Sequence, residues 1–389
     1  MIYERILGIK EQGMNEFALL DEKEGIPLFY PYIAPDTKDE LLETINSRWI
    51  GQGPKVDKFE QKFKEKLSSS NKFIATGSGT DSLHLAYILA GIKSGDEVIT
   101  PVFTCTATNL PLLYEGAIPV FADVDPLTMN INCNDIEKRI TSKTKAIVAV
   151  DYGGLSANYE ELTKIKNKYN LTLISDSAQS IGSKFKNQNS CEYADFTAYS
   201  FQAIKTITTA DGGMLSIKDH SLYEKAKRLR WFGIDRSLKQ LGTWENDIFE
   251  LGYKYQMNDL SASLGLASLN HLDEIITYRK NLMQIYLENI KHPNIQIIGR
   301  EGFNGDNCPW LCTILVKENR FNLIKKLREN GIESAQVHYR NDRYTIFGER
   351  RKDLPNMDAI EDEYLVLPLH HKVTKEDCKR ICKVVNEGW

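Results

Sequence analysis

Between Lys72 and Ile217, short apolar runs alternate with helix-like segments, and no other feature of the chain limits its fold as strongly. "KFIAT" leads through "GSGT" into "DSLHLAYILAGI", and "DEVITP" precedes a helix around "ATNLPLLYEG". "PVFADV", "KAIVAVDY" and "LTLISD" follow, with helical segments between the later two. Apolar strands without polar alternation are covered on both faces, and crossover helices bring successive strands in parallel. The expected fold is α/β, a mostly parallel sheet sandwiched by helices. After Asp176, "DFTAYSF" and "GGMLSI" lie too close together for a crossover helix, which leaves room for an antiparallel strand.

A chain of 389 residues accommodates one large domain and a smaller one. Residues 1–25 read as an N-terminal arm, partly helical, residues 26–265 as the large domain, and residues 266–389 as a smaller C-terminal α/β domain. Helix patterns "DTKDELLETINSRWI" and "VDKFEQKFKEKL" precede the first strand. "NDLSASLGLASLNHLDEIITYRKNLMQIYLENI" reads as one long amphipathic helix leading out of the large domain. Beyond it come the strand-like "WLCTILV", the helix "RFNLIKKLREN", the stretch "ESAQVHYR" and a terminal helix "KEDCKRICKVVNEG".

A net charge of −4 supplies no basic field for nucleic acid or anionic lipid, so a small molecule is the expected partner. Seven cysteines, an odd number, without an apolar signal segment point to a reduced, cytoplasmic setting. Cys308/Cys312 and Cys378/Cys382 each have the spacing of half a zinc site, but they stand in strand-like and helix-like runs where buried thiols are common. No metal is expected.

Three local features carry chemistry. "ATGSGTDSLHLA" is a glycine turn running from a strand into a helix, where backbone N–H groups and the helix dipole favour an anion and Ser78 and Thr80 add hydroxyls. A turn of this kind also serves as a mere tight connection. It lacks the third glycine of a dinucleotide fingerprint, since Ser82 stands there. "LISDSAQSIG" places Asp176 at the carboxyl end of an apolar strand with Gln179 three residues on, either at a ligand site or as a helix cap. "YSFQAIKTITTADGGML" sets Lys205 among small and apolar residues, where burial lowers the amine's pKa towards nucleophilicity. Alone, this lysine fits a surface turn equally well. In that order, a phosphate turn, a strand-end aspartate and a lysine fit pyridoxal 5'-phosphate, which needs a phosphate cup, an anion at its ring nitrogen and a lysine on its aldehyde.

At these residues the chain resembles the DegT/StrS family of sugar aminotransferases, which share the aspartate aminotransferase fold, type I. The landmarks are "GSGTDSLHLA", "GDEVITPVFTCTATN", "GAIPVFADVDP", "ISDSAQSIGS", "YSFQAIKTITTADGGML", "RWFGIDR" and "LGYKYQMNDLSASLGL", and the resemblance runs from about Ile26 to the C-terminus. It implies a seven-stranded sheet in the large domain and a homodimer with shared active sites. Lys205 would form the Schiff base with the cofactor and then move the proton, while Asp176 would keep the pyridine nitrogen protonated. Gln179 would lie at the phenolic-oxygen side, and Gly79, Thr80, Asp81 and Ser200 would hold the phosphate. A partner-subunit residue in "GYKYQMND" also reaches the phosphate in this family, and this chain offers Gln256 where several relatives have Asn. Where the family places an aromatic side chain over the ring, this chain has Cys105, with Phe103 nearby.

The resemblance further implies that L-glutamate donates the amino group and that the acceptor is a nucleotide-linked keto-deoxysugar for surface polysaccharide synthesis. Candidate substrate contacts are Arg236 in "RWFGIDR" and His338, Arg340 and Arg343 in "QVHYRNDRY", with Arg230 and Asn341 beside them. Any one of these also fits a solvated surface loop. The segment is less proline-rich than is usual in the family, which leaves a small phosphorylated ketone such as dihydroxyacetone phosphate as a second acceptor class. A dehydratase of the same fold would carry histidine at position 205, and a non-catalytic regulator would show a DNA-binding appendage or a damaged pair at Lys205 and Asp176.

Overall fold

The computed structural model describes residues 19–389 apart from 21, 24, 237, 239, 240, 244–246 and 304. The helical expectation for the N-terminal arm lies outside the described residues. The apolar runs become β1 (Lys72–Thr76), β2 (Glu97–Pro101), β4 (Ile118–Ala122), β5 (Thr144–Val150), β6 (Thr172–Asp176), β7 (Phe196–Ser200) and β8 (Gly213–Ile217), with a two-residue β3 at Phe103–Thr104. Their spatial order is β1-β8-β7-β6-β5-β2-β4. All run the same way except β8, which is antiparallel to both β1 and β7. The expected antiparallel strand is thus β8, reached from β7 by a loop that carries Lys205 instead of a crossover helix.

Helices cover both faces, which is why β7 and β8 are buried along their whole length. Leu83 and Tyr87 of the helix Gly79–Leu89 pack on Ile74, Val148 and Leu215 from one side. Phe59 and Phe63 of the helix Pro54–Lys66 pack on Tyr199 and Met214 from the other. Because β1, β6 and β7 share a direction, their carboxyl ends bring Thr76, Asp176 and Ser200 to one edge.

The long helix expected from Asn258 onward is two helices, Asp259–Asn270 and Leu272–Asn289, broken at His271 (φ −103°, ψ 6°). The first lies under the sheet, where Gly265 permits contact with Phe59: an added Cβ would stand 2.8 Å from that ring. Its Asp259 is buried and caps a different helix, accepting from Gly53 N (2.7 Å) and Val56 N (3.1 Å) through Oδ1 and from Lys55 N (3.1 Å) through Oδ2. Three otherwise unpaired amides at the start of Pro54–Lys66 depend on this carboxylate. Asp259→Ala is expected to lower stability by about 2 kcal/mol. Urea unfolding followed by circular dichroism measures this; an unmoved midpoint would show that the helix start holds without the carboxylate.

Beyond His271 the chain builds a second sheet, β9 (Ile295–Ile297), β10 (Cys312–Val316) and β12 (Tyr364–Leu367), antiparallel in the order β12-β10-β9. Helices Leu272–Asn289, Arg320–Glu329 and Lys375–Asn386 share its core through Tyr286, Leu323 and Ile381. Residues from Ile26 onward, assigned to the large domain from sequence, begin against this second unit: Ile26 bridges to Ile332, and Pro27 O lies 2.9 Å from His370 Nε2. A short strand β11 (Tyr339–Arg340) pairs with β3 and stitches the two units together beside the strand-end edge. The strand-like reading of "CPWLCTILV" holds only from Cys312. Before it, Trp310 N (2.8 Å) and Leu311 N (3.2 Å) both donate to Gly153 O, and the segment crosses to the large sheet.

All seven cysteines are free thiols. Burial pushes Cys308 and Cys378 up to about 11 and Cys382 up to about 12, so they are packing residues rather than thiolates.

Candidate active site

Lys205 sits in the excursion between β7 and β8, which is closed at its base by Phe201 N to Gly212 O and Thr209 N to Phe201 O, both 2.9 Å. Its side chain is buried, the residue being 9% exposed, and Nζ has no hydrogen-bond or ion-pair partner among the described residues. Instead Nζ stands 3.9 Å from the ring centroid of Trp310. Burial depresses the lysine's pKa, while the nearby Cys105 thiol and Asp176 carboxyl oppose that shift.

Asp176 ends β6 and is buried. Oδ2 accepts from Thr108 Oγ1 (2.7 Å) and Oδ1 from Ala178 N (3.1 Å). Thr108 is held by Tyr87, whose hydroxyl donates to Thr108 O (2.7 Å). Burial pushes the Asp176 carboxyl upward; these two hydrogen bonds and the Lys205 charge act against it. A carboxylate so placed needs a further positive or N–H partner.

Gly153 is the hub of the next layer. Its N–H donates to Gln179 Oε1 (2.7 Å), and its carbonyl takes the Trp310 and Leu311 amides. Its φ of +63° is cheap for glycine. Since a backbone N–H can only donate, Oε1 must face Gly153, and the Gln179 amide NH2 therefore faces His338 Nε2 at 3.3 Å. That nitrogen accepts, so His338 is a neutral imidazole. Burial, and then the Lys205 charge, lower its pKa to about 3.

The glycine turn closes the other side. Ser78 caps the helix Gly79–Leu89 by accepting from Asp81 N (3.0 Å). Thr76, Gly213 and Ser200 lie side by side across β1, β8 and β7. The helix start crosses directly over them: a Cβ on Gly79 would stand 2.8 Å from Ser200 Cβ, and one on Gly213 would stand 2.3 Å from Ser78 O. The helix start at Gly79, which Thr80 and Asp81 continue, thereby lies against Ser200. Burial pushes the Asp81 carboxyl up to about 6, aided by Asp211. Gln256 bridges to Thr76 of its own chain, and its Oε1 is buried without a hydrogen-bond partner among the described residues.

The arginines separate into different surroundings. Arg340 is not available to a substrate: its side chain is fully buried and bound to Asp342 (2.6 and 2.7 Å), Asp358 and Glu361 (3.0 Å). Arg230 is likewise buried, 2.6 Å from Glu60. Asn341 is a rivet between the two units, donating to Thr104 O (2.7 Å) and accepting from Asn109 Nδ2 (2.9 Å). Arg236 lies elsewhere, donating to Gln52 O and resting against Trp231 at 5.5 Å. Arg343 packs on Tyr339 at 4.6 Å. His338 is the substrate candidate that faces Lys205. Cys105 lies close enough to Lys205 and Tyr344 to raise the pKa of each, whereas Phe103 is turned into the core against Tyr152 and Tyr364, each at 5.0 Å. Sequence reasoning missed Thr108, Gly153 and Trp310; "CPW" beside a strand and "CTATN" after "PVFT" were the local signals available.

Residues 31–386 match the profile of the DegT/DnrJ/EryC1/StrS aminotransferase family. The chain belongs to this family. A GDP-perosamine synthase of Escherichia coli O157:H7 is 31% identical over 367 residues, covering 94% of this chain and 98% of the relative. The spore coat polysaccharide biosynthesis protein SpsC of Bacillus subtilis is 29% identical over 382 residues, with 93% and 96% covered. The sugar aminotransferase Spr1654 of Streptococcus pneumoniae, described as putative, superimposes in its PLP form with a TM-score of 0.87 at 28% identity, covering 93% of this chain and 98% of that one. Its PMP form gives 0.86. The aminotransferase is therefore a pyridoxal-phosphate-dependent enzyme. Its site fits that cofactor on its own terms: a buried amine with no hydrogen-bond partner among the described residues, a buried carboxyl group at a strand end, and a glycine-lined cradle at a helix start.

Proposed function

We propose that the enzyme transfers an amino group from L-glutamate to a nucleotide-linked keto-deoxysugar used in a surface polysaccharide. The observation that carries amino transfer is the Lys205 amine, buried and without a hydrogen-bonding partner beside the Asp176 carboxyl. When bound, pyridoxal phosphate supplies an electron sink for breaking the bond at the amine-bearing carbon. Lys205 would bind its aldehyde and, when released, carry a proton at Nζ. Asp176 would accept from the ring N–H, and Gln179 would lie at the phenolic-oxygen side. Gly79, Thr80, Asp81 and Ser200 would hold the phosphate, with Cys105 against the ring. The sugar class is supported by the GDP-perosamine synthase and SpsC, which match nearly their whole lengths.

The homodimer is supported by exposed apolar side chains, among them Leu42, Ile45, Ile50, Phe249 and Leu251. A reduced, cytoplasmic setting is supported by the free thiols. No described helix is long and apolar enough to cross a membrane. In the test, L-glutamate is added to the loaded enzyme and loss of the visible Schiff-base band is recorded; acceptors are then screened for its return. Return with a keto-sugar nucleotide is expected. Return only with a phosphorylated ketone would replace the sugar reading, and no loss of the band with glutamate would overturn the donor assignment.

A further inference from the structure

We propose that Trp310 is a positioning residue for Lys205, its indole face being the seat to which the free lysine amine returns whenever it is released. The proposal rests on Lys205 being the lysine that carries the cofactor. Its geometry is a clamp with several independent ties. Nζ stands 3.9 Å from the indole centroid. The indole N–H donates to Ile204 O at 3.0 Å, so the same ring holds the backbone one residue before the lysine and the amine itself. Trp310 N donates to Gly153 O, whose own amide holds Gln179. Phe29 (5.7 Å, 22°) and His338 (6.4 Å, 18°) stack near-parallel to the ring. Trp310 is 2% exposed, so the ring has little freedom to leave this position.

An aromatic seat suits a proton carrier better than a carboxylate would. A carboxylate in direct contact would hold the amine permanently as an ammonium and occupy its N–H groups. The face of an indole attracts the cation without accepting its protons, so the amine stays in place and remains able to lose and regain one. Among the described residues, the titratable groups near enough to Lys205 to interact with its charge are Asp176 from β6, Cys105 from the turn after β3 and the neutral His338 from the segment before β11. None of them hydrogen-bonds Nζ, whereas the indole centroid stands 3.9 Å from it. Trp310 comes from the segment leading into β10, so docking of the second unit sets where the lysine amine sits.

The test mixes cofactor-free enzyme with pyridoxal phosphate and follows the rate of Schiff-base formation against pH, which reads the protonation of the Lys205 amine. Removing the indole removes support for the ammonium, so the pKa falls and the midpoint moves to lower pH. Trp310→Leu is expected to shift it down by about half a unit to one unit. In the same variant the glutamate half-reaction should slow by about tenfold, with little change in the glutamate KM. Trp310→Phe keeps a ring face and should leave the midpoint close to that of the parent. If Trp310→Leu does not fold, Trp310→Met replaces it. A folded Leu or Met variant with an unmoved midpoint overturns the proposal and leaves Trp310 as packing. A borohydride-fixable adduct surviving in Lys205→Ala would instead overturn the lysine assignment on which it rests.

Discussion

Lys205→Ala is expected to abolish amino transfer, lowering kcat by at least about four orders of magnitude, and to remove both the visible Schiff-base band and the borohydride-fixable adduct. The expectation follows from the amine's surroundings. Lys205 is buried without a hydrogen bond or ion pair, an arrangement that costs desolvation free energy and is uncommon for a lysine with only a structural role. The same cost predicts a second result. Without cofactor, Lys205→Ala should unfold at the same temperature as the parent or a higher one, because a buried charge has been removed and no salt bridge lost. Inactivity combined with a clearly lower melting temperature would indicate structural damage instead. Lys205→Arg retains a cation but cannot form the covalent link and should be equally inactive. Absorbance, borohydride fixation with peptide mapping and thermal melts decide among these outcomes.

The parallel sheet was legible because runs such as "KAIVAV" and "LTLIS", apolar at successive positions, fit strands covered on both faces. The break at His271 was not. Apolar spacing continues through "SLNHLDEII" without glycine or proline, and the break follows a change of packing partner, from Phe59 beneath the large sheet to the second sheet's core. The site divides in the same way. Asp176, Gln179, Ser200 and Lys205 each sit at a strand end or the loop beyond it, where the strand pattern itself announces the ligand edge. Thr108, Gly153 and Trp310 matter because of what they touch across the fold, and their neighbours in sequence do not disclose those contacts. Arg340 failed for the same reason. Asp342, two residues on, was a visible partner, but Asp358 and Glu361 complete its cage from 18 and 21 residues away.

Asp176→Asn should keep the fold and bind the cofactor, yet lower kcat by about two to three orders of magnitude. The substitution preserves shape: the amide oxygen, in the place of Oδ1, can still accept from Ala178 N, and the NH2, in the place of Oδ2, can donate to Thr108 Oγ1, whose hydroxyl then turns to Thr104 Oγ1. What it removes is a negative charge in a buried place, where a charge acts on its neighbours far more strongly than in water. A carboxylate there favours a protonated ring nitrogen, and an amide does not. Charge and packing are separable experimentally. A cofactor analogue methylated on the ring nitrogen carries its positive charge permanently, so loading it into Asp176→Asn should recover a large part of the lost rate. It should give little benefit to the parent enzyme, whose carboxylate already meets that need. If the methylated analogue rescues neither glutamate half-reaction rate nor turnover, Asp176 acts through geometry alone. Thr108→Val tests the same pair from the other side. It deletes one donor while leaving the charge, so a loss of about tenfold is expected, well short of that in Asp176→Asn.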